Sequence, residues 1–343
     1  MASMHSLSAI PGKDKTLPAL ALVHHMDVVP IIDADSWDYP PFGGIVADGH
    51  LHGRGTQDMK SVGAIHYQAL RKCAQLGIQP QRTIYLIAVP DEEIGGFTGT
   101  KLLLQSPLFA HLAIGYVLDE GLASGNPAAV FIKTSERKPL QVRISATGKA
   151  AHGSHLFADN PIHKLVQVCA SLVQEQQQRQ ATATTLSSLG QVLSANITSL
   201  HAGNTATYNA VPAEAEAIID IRVPHAMPAE TARNIVEHAV YAVPGASYEI
   251  VACVADYPLI DQEQTILFAA LAKACTFHGI EPIAYHAEEA SDLRFYWQHG
   301  LQGLGFSPFT CKEALHATNE SLPLIDLIRG YEIICTFLSQ FCY

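Results

Sequence analysis

The chain is short of charge, and shortest of positive charge. It has 21 Lys and Arg against 32 Asp and Glu among 343 residues, a net charge of −11, with charged residues only 15% of the whole. Nucleic acids and anionic membrane surfaces both require basic patches, so neither is expected as a partner. No apolar run approaches the ~20 residues of a membrane span. The opening MASMHSLSAIPGKDK lacks the basic-then-apolar layout of a secretory signal. The seven cysteines (Cys73, Cys169, Cys253, Cys275, Cys311, Cys335 and Cys342) are scattered, with no CxxC pair. That excludes a cysteine-built zinc site and suits reduced thiols in a cytoplasmic protein. There is no GxSxG elbow and no P-loop, which argues against a serine hydrolase and a phosphate-binding enzyme.

What is present is apolar bulk, with 48% hydrophobic residues, and histidine, with seventeen. The chain is therefore globular, with a sizeable core. ALALVHHMD and TIYLIAVP are near-continuous apolar runs of the kind buried on both faces of a helix-covered sheet. PLQVRISATG and AEAEAIIDIRV alternate instead, as antiparallel strands with one wet face do. Helical periodicity is clear in MKSVGAIHYQALRKCAQLG, PIHKLVQVCASLVQEQQQRQ, PAETARNIVEHAVYAV, EQTILFAALAKACTFHG and PLIDLIRGYEIICTFLSQF. The Thr/Ser-rich ATATTLSSLG, 181–190, reads as a loop. The order predicts an α/β domain from 1–136 and 254–343, interrupted by an inserted domain over 137–253.

Chemistry gathers where the strands end. VHHMDVVP carries His25 and, two residues on, Asp27, which suits a metal-binding imidazole with a carboxylate behind it. An ordinary polar strand end would read the same. GRGTQDMK places Asp58 at the head of a long helix, where an N-cap needs no metal. VPDEEIGG ends the next strand with Glu92 and Glu93, and VLDEG the one after with Asp119 and Glu120. Catalytic groups collect at the carboxyl ends of strands in open α/β sheets, so four acidic ends in series with a histidine point to one site. Clustered carboxylates with few histidines and no cysteine suit two divalent metal ions, whose charge permits the acids to crowd. On an extended backbone Glu92 and Glu93 face opposite ways, leaving one to ligate and the other to act as a base. EALHATNE supplies His316 from the far end of the chain, although a lone surface histidine would look alike.

HMDVVP, PPFGG, DGHLHGRGTQDMK, VPDEEIGG, VLDEG and GFSP with its later LH together resemble the M20 family of dinuclear zinc peptidases and amidohydrolases, from about residue 17 to the end. The resemblance implies a catalytic domain with a mixed, largely parallel sheet flanked by helices. Its insert would be an α+β lid and dimerisation domain with a four-stranded antiparallel sheet and two helices. The implied ligands of two Zn²⁺ per subunit are His25, Asp58 as the bridge, Glu93, Glu120 and His316. Asp27 would orient His25, Glu92 would be the general base, and the Asp58–Met59 peptide would be cis. GKAAHGS would lend His152 to a partner subunit's site, with His155 close enough to share the role, while a plain loop histidine fits the same residues. Asn209, Arg222 and Arg294 would meet the substrate, although Arg222 could serve only to pair acids within the insert.

The implied activity is hydrolysis of N-acyl-L-amino acids by a cytoplasmic homodimer that touches neither nucleic acid nor membrane. Another M20 activity (dipeptidase, carboxypeptidase or acetylornithine-type deacetylase) and a non-catalytic dimeric binding protein are the alternatives. Only about two dozen residues precede His25, so an incomplete sheet edge with exposed apolar surface is expected.

Overall fold

The apolar runs ALALVHH and IYLIAV become Ala19–His25 and Ile84–Val89, adjacent parallel strands inside a seven-stranded sheet. The structure, a computed structural model, describes residues 5–77, 79–156, 159–181, 185–254, 256, 260–311 and 314–343. Across the sheet the order is Ser6–Ile10, Ile84–Val89, Ala19–His25, Ile114–Asp119, Gln302–Gly305, Ala129–Glu136 and Glu281–Ala287. The strands from Ile84–Val89 to Gln302–Gly305 run parallel. Ser6–Ile10 pairs antiparallel with Ile84–Val89, as Ala129–Glu136 does with Gln302–Gly305, so the sheet is mixed but largely parallel. Leu20, Leu22 and Leu118 from the strands pack with Val62, Ile65 and Ala69 of helix Lys60–Gln75, Leu267 and Leu271 of Ile266–Phe277, and Ile333 and Phe337 of Leu324–Phe341.

Ser6–Ile10 corrects the sequence reading, which placed no strand ahead of Ala19. Its SLSAI pattern is short and mostly exposed, so it carries little of the apolar signal that marks the central strands. The chain then stays beside its neighbour: Lys13 and Asp14 donate backbone hydrogen bonds to Pro80 and Gln81 at 2.8 and 2.9 Å. Gly12 lies so close to this segment that a Cβ there would stand 2.5 Å from the backbone of Thr83.

Contacts divide the chain into Met1–Thr134, Ile260–Tyr285 and Ser291–Tyr343 as one unit, and Ser135–Leu259 with His286–Ala290 as the other. The second unit contains the 137–253 segment read as an insert. It also takes in 286–290, because the Arg137 amide donates to the Ala287 carbonyl at 3.2 Å and the Arg137 Nε to the Glu288 carbonyl at 3.0 Å. Its antiparallel sheet runs Ser194–Ala202, Glu214–Val223, Lys138–Thr147, Ala246–Cys253. The alternation of PLQVRISAT is realised residue by residue. Leu140, Val142, Ile144 and Ala146 are buried with Leu165, Val168 and Leu172 of helix Pro161–Gln180 and Val236 and Val240 of helix Ala229–Tyr241. Of the segment 181–190, residues 182–184 lie outside the described residues, and Leu186–Gln191 form a 3-10 helix rather than the expected loop.

Candidate metal centre

Parallel strands bring their carboxyl ends to one rim of the first unit. His25 is the last residue of its strand, and Asp119 the last of Ile114–Asp119 with Glu120 following. Glu92 and Glu93 follow Ile84–Val89. Asp58 is not at such a strand end. It comes from the loop between strand His50–His52, part of a small three-stranded sheet, and the helix that starts at Lys60. Nor is it a helix cap: Met59 holds that position, without a capping side chain, and the Asp58–Met59 peptide is cis.

The Asp58 carboxylate spans two imidazoles. Its Oδ1 is 2.8 Å from His25 Nε2, and its Oδ2 is 3.0 Å from His316 Nε2. Glu120 Oε2 lies 3.6 Å from His25 Nε2, and Glu93 Oε2 lies 3.6 Å from His316 Nε2. Two overlapping triads result, His25–Asp58–Glu120 and Asp58–Glu93–His316, each with its ligand atoms within 4.8 Å of one another. Two imidazoles and three carboxylates, with no thiolate, are a donor set for zinc or a similar divalent ion in each triad.

Asp27 reaches further than the sequence reading gave it. Its backbone carbonyl is 3.0 Å from His25 Nδ1, and its carboxylate 3.6 Å, which fixes the ring and leaves Nε2 facing the triad. The same carboxylate accepts from the Glu92 amide at 3.3 Å and the Glu93 amide at 3.1 Å. Those residues are not extended, as expected, but begin a 3-10 turn after Asp91, whose φ is 78°. The turn, not strand alternation, separates the two glutamates. The signal available in the sequence was the same HMD motif, read only toward the histidine.

Electrostatics show how costly this crowding is without positive charge. Burial, then the charges of Glu120, Asp292 and Asp58, push Glu92 up to about 10, against the partial relief of His25. Burial and Asp58 push Glu93 to about 7. Burial, then Glu120 and Asp292, push Asp119 to about 8. Burial opposes a charged His25, but the Asp27, Asp58 and Glu120 carboxylates outweigh it and raise the imidazole well above its ordinary value. Burial likewise opposes an ionised Asp58, and the two histidines hold it well below the usual carboxylate range. Without added positive charge several of these acids keep their protons; cations in the triads would let them ionise together.

The other expected residues fall elsewhere. His152 and Asn209 belong to the second unit, on or beside the paired strands Ala151–His152 and Ala210–Val211. The Asn209 Nδ2 is 3.2 Å from His152 Nε2, Ser154 Oγ is 2.7 Å from His152 Nδ1, and the His155 ring centroid is 6.0 Å away. Arg222, in the same unit, forms a fork on Asp220 at 2.7 and 3.1 Å. Arg294 is buried in the first unit. It donates to the Ser291 carbonyl and, at 2.7 Å, to the Gly95 carbonyl of the glutamate turn.

The sequence profile of Peptidase family M20/M25/M40 matches residues 21–340. Aminoacylase-1 of Mus musculus is 34% identical over 338 residues, covering 96% of this chain and 81% of the mouse protein. Among solved structures, aminopeptidase PepT from Bacillus cereus superposes with a TM-score of 0.75 at 18% identity, over 98% of this chain and 84% of its own. The Bacillus subtilis YXEP protein, described as a dinuclear metal binding peptidase from the M20 family, gives 0.67 at 17% identity, over 98% and 85%.

Proposed function

The chain belongs to peptidase family M20/M25/M40, and from that premise we propose that this metal-dependent amidohydrolase cleaves the amide bond of N-acyl-L-amino acids to a carboxylate and a free amino acid. The observation that carries the reading is the Asp58 carboxylate held between His25 and His316, one oxygen to each. Bound in the two triads, two Zn²⁺ ions would supply the charge that polarises the acyl carbonyl and lowers the pKa of an attacking water toward ~7.

The remaining steps belong to side chains. Glu92 stands in neither triad, so its carboxylate is free to take a proton from the attacking water and return it to the leaving amine. Asp27 holds both its turn and the His25 ring in register for that transfer. His152, with Asn209 beside it, is the donor for the developing oxyanion, supplied by a partner copy in a homodimer formed through the second unit. Arg294 is the candidate for the substrate carboxylate, with Arg222 and Asn209 as further substrate contacts. The seven free thiols suit a cytoplasmic setting, and among the described residues no helix is long and apolar enough to cross a membrane.

Metal content measured beside hydrolysis of N-acetylmethionine, N-acetylornithine and simple dipeptides tests the proposal. Two bound metals and a preference for N-acetylmethionine are expected. A dipeptide or N-acetylornithine preference would move the substrate assignment to another activity of the family, and metal-independent turnover would end the reading.

A further inference from the structure

Glu320 is a carboxylate that the reaction does not use, and it is completely buried. Its Oε2 accepts from Arg54 Nη1 at 2.6 Å and from the Gly55 amide at 3.1 Å, and its Oε1 accepts from the Gln57 amide at 2.7 Å. Its backbone carbonyl accepts from the Gly53 amide at 2.9 Å, and the next carbonyl, of Ser321, from the Gln57 side chain at 2.9 Å. One residue thus holds the loop from Gly53 to Gln57 that ends at Asp58. Arg54 neutralises the acid and is itself buried, with its guanidinium 5.2 Å from the centroid of the Trp37 ring. Both oxygens are committed, so Glu320 is not itself a ligand.

Glu320 also closes the turn that presents His316. That turn passes through the left-handed region at three non-glycine residues, Ala314 (59°), His316 (58°) and Asn319 (63°). Such a backbone persists only where its surroundings fix it. Asn319 ties the turn to Asp38, accepting from its amide at 2.8 Å and donating to its carboxylate at 3.0 Å, and Glu320 ties it to the Asp58 loop.

We infer that Glu320 is a positioning residue that sets Asp58 and His316 jointly, and with them the Asp58–Glu93–His316 metal triad. The inference rests on the proposed dinuclear centre, and its test reads metal affinity in the metal-free protein rather than turnover. Stepwise Zn²⁺ affinities are measured by competition with a chromophoric chelator for the wild-type chain, Glu320→Gln and His316→Ala. The step that His316→Ala abolishes identifies the triad. In Glu320→Gln that same step should weaken about 10- to 100-fold, the range for loss of a group that orients a ligand, while the other step changes less.

A Gln at 320 leaves Arg54 without its counter-charge. If that variant does not fold, the Arg54→Gln/Glu320→Gln pair leaves no charge alone and should show the same selective weakening. Wild-type affinities at both steps in either folded variant, even with a lowered Tm, would make Glu320 purely structural and overturn the inference. A wild-type chain that binds no metal would overturn the proposed function as well.

Discussion

Asp27 touches His25 on one side and both glutamate amides on the other, so its loss should disturb ligand and base together. Asp27→Asn keeps the shape but puts an amide group where two backbone donors require acceptors. A fall of about 10- to 100-fold in metal affinity or kcat is expected, read by chelator competition and steady-state kinetics. Glu92 should behave differently. Glu92→Gln should lower kcat by about 10²- to 10⁴-fold while both metals stay bound, as metal analysis of the purified variant would show. Near-wild-type turnover would remove Glu92 from its role. The clustering of the candidate ligands was legible in the sequence because most sit at the end of an apolar strand, where an acid or imidazole is out of place unless it has a task. Glu320 was not legible. An acid that folds inward onto Arg54 and two amides has the same one-letter code as an acid in water, and only the three-dimensional pairing reveals it.

Among elements, the five longer helices were legible from periodicity because each buries one stripe in a core. The alternating strands of the second unit were legible for the matching reason. Turns were less so, since their shape is set by contacts distant in sequence. Gly96 shows why: it adopts φ 65°, and a Cβ there would stand 1.8 Å from Asp292 Oδ1. Gly96→Ala should therefore destabilise the glutamate turn by about 1–3 kcal/mol through crowding and backbone strain. Gly44→Ala, with a similar φ of 58° but nothing within 4 Å, isolates the backbone part and should cost less. Denaturant melts of the two variants make the comparison, and equal losses would show that Asp292 yields readily.

At the scale of the whole molecule, every candidate metal ligand lies in the first unit, while the second has its own apolar core. Ile219→Ala, at a fully buried position of the second unit, should lose about 2–5 kcal/mol of that unit's stability and leave Zn²⁺ affinity unchanged. The metal-free chain should also be sensitive to base. Asp119 releases its proton near 3.8 when unfolded but is held at about 8 when folded, chiefly by burial. Between those values the folded state carries the extra proton, so stability falls as pH rises. Buried His24 and His66, lowered to about 4 and about 3, act in the opposite sense, but only below their ordinary 6.5. Above that value the raised acids and the raised His25 imidazole act in one direction, each holding a proton in the folded chain that the unfolded chain gives up. The Tm of chelated protein should fall from about pH 6.5 to about pH 8.5, and the gain on adding metal should be larger at the higher pH. A flat profile would mean that none of these groups is held protonated in the folded chain.

Ser6–Ile10 has one more consequence. It is the outermost strand, mostly exposed, and on its far side no described strand takes up its backbone donors and acceptors. That margin is a template onto which another extended segment can zip. Recruitment of this kind grows with protein concentration, so concentrated stocks should accumulate oligomers that light scattering detects. Leu7→Lys, which puts a charge on this exposed edge, should suppress them.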